Sequence, residues 1–383
     1  MKVVEAMPGA AAAGRQQFVL INVLKAVAAQ LIVLHHLAFY GPMADHARPL
    51  LPLLIGWLDE HARIAVQVFL VIGGFLAAKS LSPAGLPGIR DPLQLVWRRY
   101  LKLAPPFLAA TLLAIVASGW AGNWMTHDSI SAPPTLFQLG AHALLLHSVL
   151  GVESISAGAW YVAIDFQLYA LMTLLAWVSG RMAGHRAPAW LMPVLVLAGV
   201  GASLLYFNLD AGWDVWAPYF FGSYGLGILA WWASDPARRP SGAAVLLGAM
   251  LVLSTLALAL DFRTRIAVAI GVACALFLFG RLRATGRPGG ALALLDRAGR
   301  ISFAVFLVHF PVCLLVNAAF ARYAPAQEHV QALGMLLAWG ASLLAGAAFF
   351  RWVELPLGRM LAPSSAPGAR QRAAAKAGTA RAW

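Results

Sequence analysis

Lys25, His35, His36, Gln67, Asp165 and His309 each fall inside a long apolar run. An ionisable group held in hydrocarbon marks function by default. In "FVLINVLKAVAAQLIVLHHLAFY", Lys25 and His36 are eleven residues apart. On a helix that is three turns plus about 20°, so the two share a face, about 16 Å apart along the axis. Asp165, in "AWYVAIDFQLYALM", sits about 9 Å below the start of its run, near the depth expected for His36. A carboxylate there orients an imidazole and stabilises its charged form, the logic of a base and its orienter. Pairing of Asp165 with His36 is therefore the expectation; two unrelated buried groups with other partners are the alternative. A third feature is basic: "RDPLQLVWRRYLKLAPPF" carries Arg98, Arg99 and Lys102. Arg99 and Lys102 share a helix face at i, i+3. A paired cationic face suits the phosphates of a nucleotide-bearing donor such as coenzyme A. Ordinary anchoring of a basic loop at a membrane surface explains it equally well.

The elements that must position these groups are membrane helices. The 383 residues are 61% hydrophobic and only 11% charged, with a mean hydropathy of +0.75, which excludes a soluble fold. Ten runs approach the roughly 20 residues that cross a bilayer: 18 to 40, 64 to 81, 102 to 120, 159 to 178, 189 to 208, 214 to 233, 242 to 260, 264 to 280, 301 to 320 and 330 to 350. The first run is longer than the apolar core of a signal peptide, so it reads as a retained span. An eleventh candidate, 136 to 150, is short and carries His142 and His147, as a re-entrant or interfacial segment would.

Charge fixes the orientation. With ten spans and both termini in the cytoplasm, the Lys and Arg outside the cytoplasmic side are Arg48, Arg63, Arg263, Arg265, Arg322 and the intramembrane Lys25, out of 28 in all. A crossing at 136 to 150 would turn the basic loop 281 to 300 outward, against the positive-inside tendency. The expectation is an all-α integral membrane protein of about ten transmembrane helices: a cytoplasmic tail at 1 to 17, a membrane domain at 18 to 360, and a basic, disordered cytoplasmic tail at 361 to 383. The net charge of +13 is spread over short loops without interleaved aromatics, so it points to topology rather than nucleic acid. Cys274 and Cys313 lie in apolar runs and read as small buried hydrophobes, with no disulfide framework and no metal site.

Several short patterns, in order along nearly the whole chain, resemble the acyltransferase-3 family of membrane acyltransferases. The family's basic residue, ten others and then a histidine is matched by Lys25 and His36, with lysine in place of the commoner arginine. Its aromatic stretch ending in Ser-Gly-Phe resembles "VQVFLVIGGF", where Gly73 replaces the serine. Its two arginines three apart resemble Arg99 and Lys102. Its Trp-Ser-Leu stretch leading to a glutamate is similar to "WYVAIDFQLY", with Trp160 kept and Asp165 at the glutamate. "FLVHFPV", with His309 and Pro311, and "VELP", with Glu354 and Pro356, are the closest matches.

The resemblance implies transfer of an acyl group, most often acetyl, from cytoplasmic acyl-CoA to a hydroxyl of an extracytoplasmic carbohydrate or glycolipid, by a multi-pass protein of the cytoplasmic (inner) membrane. It implies no permanently bound cofactor, with acetyl-CoA or another acyl-CoA as donor substrate. The implied partners are the lipid bilayer, acyl-CoA, a glycan acceptor and glycan-assembly proteins, with no nucleic acid. On this reading His36 and Asp165 are catalytic, Lys25, Arg98, Arg99 and Lys102 bind the donor, and Gln67, Trp160 and His309 are accessory. Glu354 reads as structural, salt-bridged to Arg351 or Arg359. The outer connection 121 to 158, with His127, His142 and His147, is expected to face the acceptor. The rival classes are a secondary transporter, for which buried Lys, His and Asp line a solute path, and an acyltransferase-like binding or assembly protein. No internal repeat supports the transporter.

Overall fold

A computed structural model describes residues 8–183, 188–281 and 289–361. It is all-α, with no strand among the described residues. Fifteen α-helices follow in order: α1 (Pro8–Phe39), α2 (Pro42–Ala47), α3 (Pro52–His61), α4 (Val66–Leu81), α5 (Pro92–Ala121), α6 (Leu136–Ala143), α7 (Ala159–Ala183), α8 (Leu191–Leu205), α9 (Ala217–Ala233), α10 (Pro240–Leu260), α11 (Thr264–Arg281), α12 (Gly290–Arg300), α13 (Ser302–Tyr323), α14 (Glu328–Phe349) and α15 (Leu355–Met360). Helix ends follow local chemistry. Asp91 caps α5 by accepting the Gln94 N–H, and Pro92 begins the helix, where a missing N–H costs nothing.

Each of the ten apolar runs forms a helix. Among the described residues, eight helical stretches are long and apolar enough to cross a membrane; two of the expected spans fall short of that length. The apolar part of α11 is Thr264–Phe279. Helix α9 has 17 residues, about 25 Å, and is buried along nearly its whole length, so protein rather than lipid surrounds it. The α6 segment does not span: eight residues reach only about 12 Å. It folds back against α5, where the Tyr100 hydroxyl donates to the Ala143 carbonyl at 2.8 Å. The α1 helix begins at Pro8, ahead of its apolar run. The tail 362 to 383 lies outside the described residues, as do residues 1 to 7.

The packing centre is the crossing of α4 and α9, and two glycines permit it. A Cβ on Gly74 would lie 1.8 Å from the Tyr224 carbonyl oxygen, and one on Gly227 would lie 1.9 Å from that of Val71. Small residues that let backbones touch are the main device of helix association in lipid, where no hydrophobic force drives it. Large apolar side chains such as Leu112, Val116, Val252 and Leu344 remain exposed on the outside of the bundle, facing hydrocarbon. Helices α1 and α13 run side by side in the same direction. Asn22 near the start of the apolar part of α1 donates to Asp296 just before α13 at 2.9 Å, and Asn317 near the end of α13 accepts the Met43 N–H just after α1.

Candidate active site

That parallel pairing brings His36 and His309 together. His36 Nδ1 and His309 Nε2 are 2.6 Å apart, the ring planes differ by 5° and the centroids are 4.9 Å apart. This separation is the nitrogen distance plus two ring radii, so the rings lie edge to edge in one plane with the hydrogen bond in line. They do not stack face to face. The protons can be assigned. His309 Nδ1 is 2.7 Å from the Phe306 carbonyl oxygen; a carbonyl only accepts, so this nitrogen carries a proton. With both rings neutral, His309 Nε2 is then bare and accepts from His36 Nδ1–H, which leaves His36 Nε2 with a free lone pair. His309 is fully buried while His36 is half-buried, so the free nitrogen belongs to the reachable ring. The adjacent His35 is spent elsewhere, 3.0 Å from the Leu58 carbonyl; this separates the two neighbouring histidines into a structural one and a reactive one.

Asp165 is not the orienter of His36. Its carboxylate is ion-paired with Arg99, correcting the expected His36–Asp165 contact: the two groups sit in separate pairs. The Arg99 guanidinium also lies over the Tyr169 ring, 5.1 Å from the centroid. Gly73 explains part of the fit. A Cβ there would lie 3.2 Å from Tyr224 and 3.5 Å from Asp165 Oδ1, so glycine leaves room for this buried pair.

The remaining cations gather beside it. Lys25 on α1 and Lys102 on α5 are within electrostatic range of Glu354, and Lys102 also feels Arg99 and Asp165. The charges that act on Glu354 are those of Lys25 and Lys102 rather than the expected Arg351 or Arg359, both exposed. The cause is local: Phe350–Glu354 forms a π-helical turn, which rotates the residues after it relative to a regular α-helix. Sequence periodicity gives no sign of that turn, and "VELP" was the only signal that Glu354 mattered.

The other expected positions are less central. Arg98 is exposed. Gln67 accepts from the Ser223 hydroxyl at 2.6 Å, tying α4 to α9. Trp160 lies against Phe220, with centroids 5.7 Å apart. In the outer connection, both nitrogens of buried His142 are used: Nδ1–H donates to the Gln138 carbonyl and Nε2 accepts the Ile155 N–H. His147 packs on it at 4.2 Å between centroids. Burial, followed by the neighbouring His142, pushes His147 down to about 4.

Helix α1 thus joins a cationic cluster, through Lys25, to a hydrogen-bonded histidine pair, through His36. The acyltransferase-domain family Acyl_transf_3 matches residues 18–352. The chain belongs to the acyltransferase-3 family. It is a membrane acyltransferase, and the matched range holds every site residue above except Glu354. No curated protein and no solved structure matches the chain.

Proposed function

We propose that this acyltransferase moves an acetyl group from cytoplasmic acetyl-CoA to a hydroxyl of an extracytoplasmic carbohydrate or glycolipid, as a multi-pass protein of the cytoplasmic membrane with both termini inside. The observation that carries the reading is the histidine pair: a reachable imidazole with a bare Nε2, its other nitrogen held by a second, buried imidazole. Such a nitrogen takes the proton of an attacking hydroxyl. The hydroxyl oxygen then bonds to the thioester carbonyl carbon, the carbon–sulfur bond breaks, and the thiolate takes the proton back from His36. His309 is a positioning residue, fixing the tautomer and sharing the transient charge through the Nδ1–H bond. Asp165 holds Arg99 in place. Arg99, Lys102 and Lys25 supply the donor's counter-charges. The bias of Lys and Arg toward one side of the ten-helix topology supports entry of the donor from the cytoplasm.

The test is to express wild type and His36→Ala at matched membrane levels and measure alkali-labile acyl esters on purified surface glycans by mass spectrometry. Loss of a general base predicts a fall of about 10²- to 10⁴-fold. Esters at equal level with both proteins would retire His36, and esters with neither would retire glycan acylation.

A further inference from the structure

Three aromatic rings lie against that of His36. Those of His35 and His309, at 5.1 and 4.9 Å between centroids, are buried. The third, Tyr40 at 5.4 Å, is half-buried. Of the three, Tyr40 is therefore the one that borders space a substrate can occupy. It follows His36 by four residues, and its N–H bonds the His36 carbonyl at 2.9 Å. Helical geometry thus reaches it, and it stands one turn, about 6 Å, beyond His36 on the side away from Lys25.

The ring is held in place while its hydroxyl is not. Phe39 and Phe310 meet it edge to face, at 4.8 and 5.4 Å between centroids. The chain then turns at Gly41, whose φ is +97° and whose Cβ, if present, would stand 2.4 Å from the Asn317 side chain. Asn317 Nδ2 donates to the Tyr40 carbonyl. Helix α13, which delivers His309, therefore also fixes Tyr40. Among the described residues, none bonds the Tyr40 hydroxyl. A rigid apolar ring with a spare donor and acceptor suits a sugar, whose C–H face packs on the ring and whose hydroxyls bond the phenol. Tyr40 also leads to the outer connection. With Trp124 it packs on the apolar cluster that contains Ala121, Ile155 and Phe310, and Trp124 meets exposed Tyr323 at 5.7 Å between centroids.

Resting on the carbohydrate reading above, we infer that Tyr40 is an acceptor-binding residue, which packs on the sugar and bonds one hydroxyl so that a neighbouring hydroxyl meets His36 Nε2. The test uses protein purified in detergent, acetyl-CoA, and surface glycan of the expressing cells stripped of its esters with alkali as the acceptor probe. Detergent opens both faces, so donor and acceptor are varied separately. Tyr40→Phe, which loses only the hydroxyl, raises the KM for stripped glycan by roughly three- to tenfold. Tyr40→Ala, which loses the ring as well, raises it by about tenfold or more. The KM for acetyl-CoA stays at its wild-type value in both. A KM does not depend on how much of a variant is folded, so a poor yield leaves the reading intact. A tyrosine that only anchors the helix at the bilayer boundary leaves the glycan KM unmoved. That result, a fall in kcat at constant glycan KM, or an equal rise in the acetyl-CoA KM overturns the inference and leaves acyl transfer standing. Wild-type protein that transfers no acetyl to stripped glycan overturns the carbohydrate reading itself, and the role of Tyr40 with it.

Discussion

The His36–His309 pair and the Arg99–Asp165 pair stand in the same bundle and use opposite strategies. The histidines form a neutral chain, Phe306 carbonyl to His309 to His36, that ends on a nitrogen with a lone pair to spare. Arg99 and Asp165 are a compensated ion pair, 23% and 10% exposed at their side chains. A full charge in an apolar bundle must be neutralised on the spot, because its desolvation cost is too large to leave uncovered. A neutral ring has no such obligation, so one of its nitrogens can be left free. The ion pair is thereby the more structural element and the imidazole the more reactive one.

The largest expected effect on this comparison comes from opening the ion pair. Asp165→Ala leaves Arg99 without its counter-charge and is expected to lower unfolding free energy by about 3 kcal/mol, seen by thermal unfolding in detergent. The double replacement Arg99→Met with Asp165→Leu should recover most of that loss. If Asp165 instead orients His36, stability would hold while turnover collapsed, by as much as about 10⁴-fold for loss of an orienting carboxylate. Next is His309→Phe, which removes the acceptor of His36 Nδ1–H. Turnover should fall about 30-fold at constant donor KM, as for loss of a positioned hydrogen bond of about 2 kcal/mol. His309→Gln, with an amide oxygen able to accept, should regain part of it. A change in KM alone would place His309 in donor binding.

Residues and their depths were legible in the sequence; their partners were not. Apolar runs of helix length located the ten longest described helices, and the eleven-residue spacing put Lys25 and His36 on one face of α1. Depth also placed Asp165 and His36 near one level, yet depth does not say which helices touch. That depends on packing: α13 runs beside α1 and delivers His309 to His36, while Arg99 on α5 reaches Asp165 on α7. The π turn at Phe350–Glu354 is invisible to a pattern of 3.6 residues, so Glu354 read as a surface ion-pair member. Helix α9 read as an ordinary crossing because hydropathy reports apolarity and not whether lipid or protein covers it.

The second histidine pair extends the comparison to the outer connection. His147 is held down to about 4, mainly by burial, against the 6.5 of an ordinary imidazole. Between those values the unfolded chain binds more protons than the folded one, so stability is present above about pH 6.5 and is lost as pH falls toward 4. The loss by pH 5 should be about 2 kcal/mol. Thermal unfolding at pH 7 and pH 5 measures it, and His147→Phe should flatten the difference. A drop that survives the substitution belongs to another group.

The smallest effect separates the two halves of the cationic cluster. Arg99 is committed to Asp165, whereas Lys102 is exposed on the same helix face. An exposed ammonium contributes at most about 1 kcal/mol to an ionic contact, so Lys102→Met should raise the KM for acetyl-CoA up to about fivefold with kcat unchanged. The effect should shrink as salt is added, because an exposed charge is screened over a Debye length of about 10 Å at 0.1 M. Lys102→Arg should restore the KM, since only the charge is in use. A fall in kcat at constant KM would mean that Lys102 acts on the transition state, and the division of labour between a binding end and a reacting end of the site would then have to be redrawn.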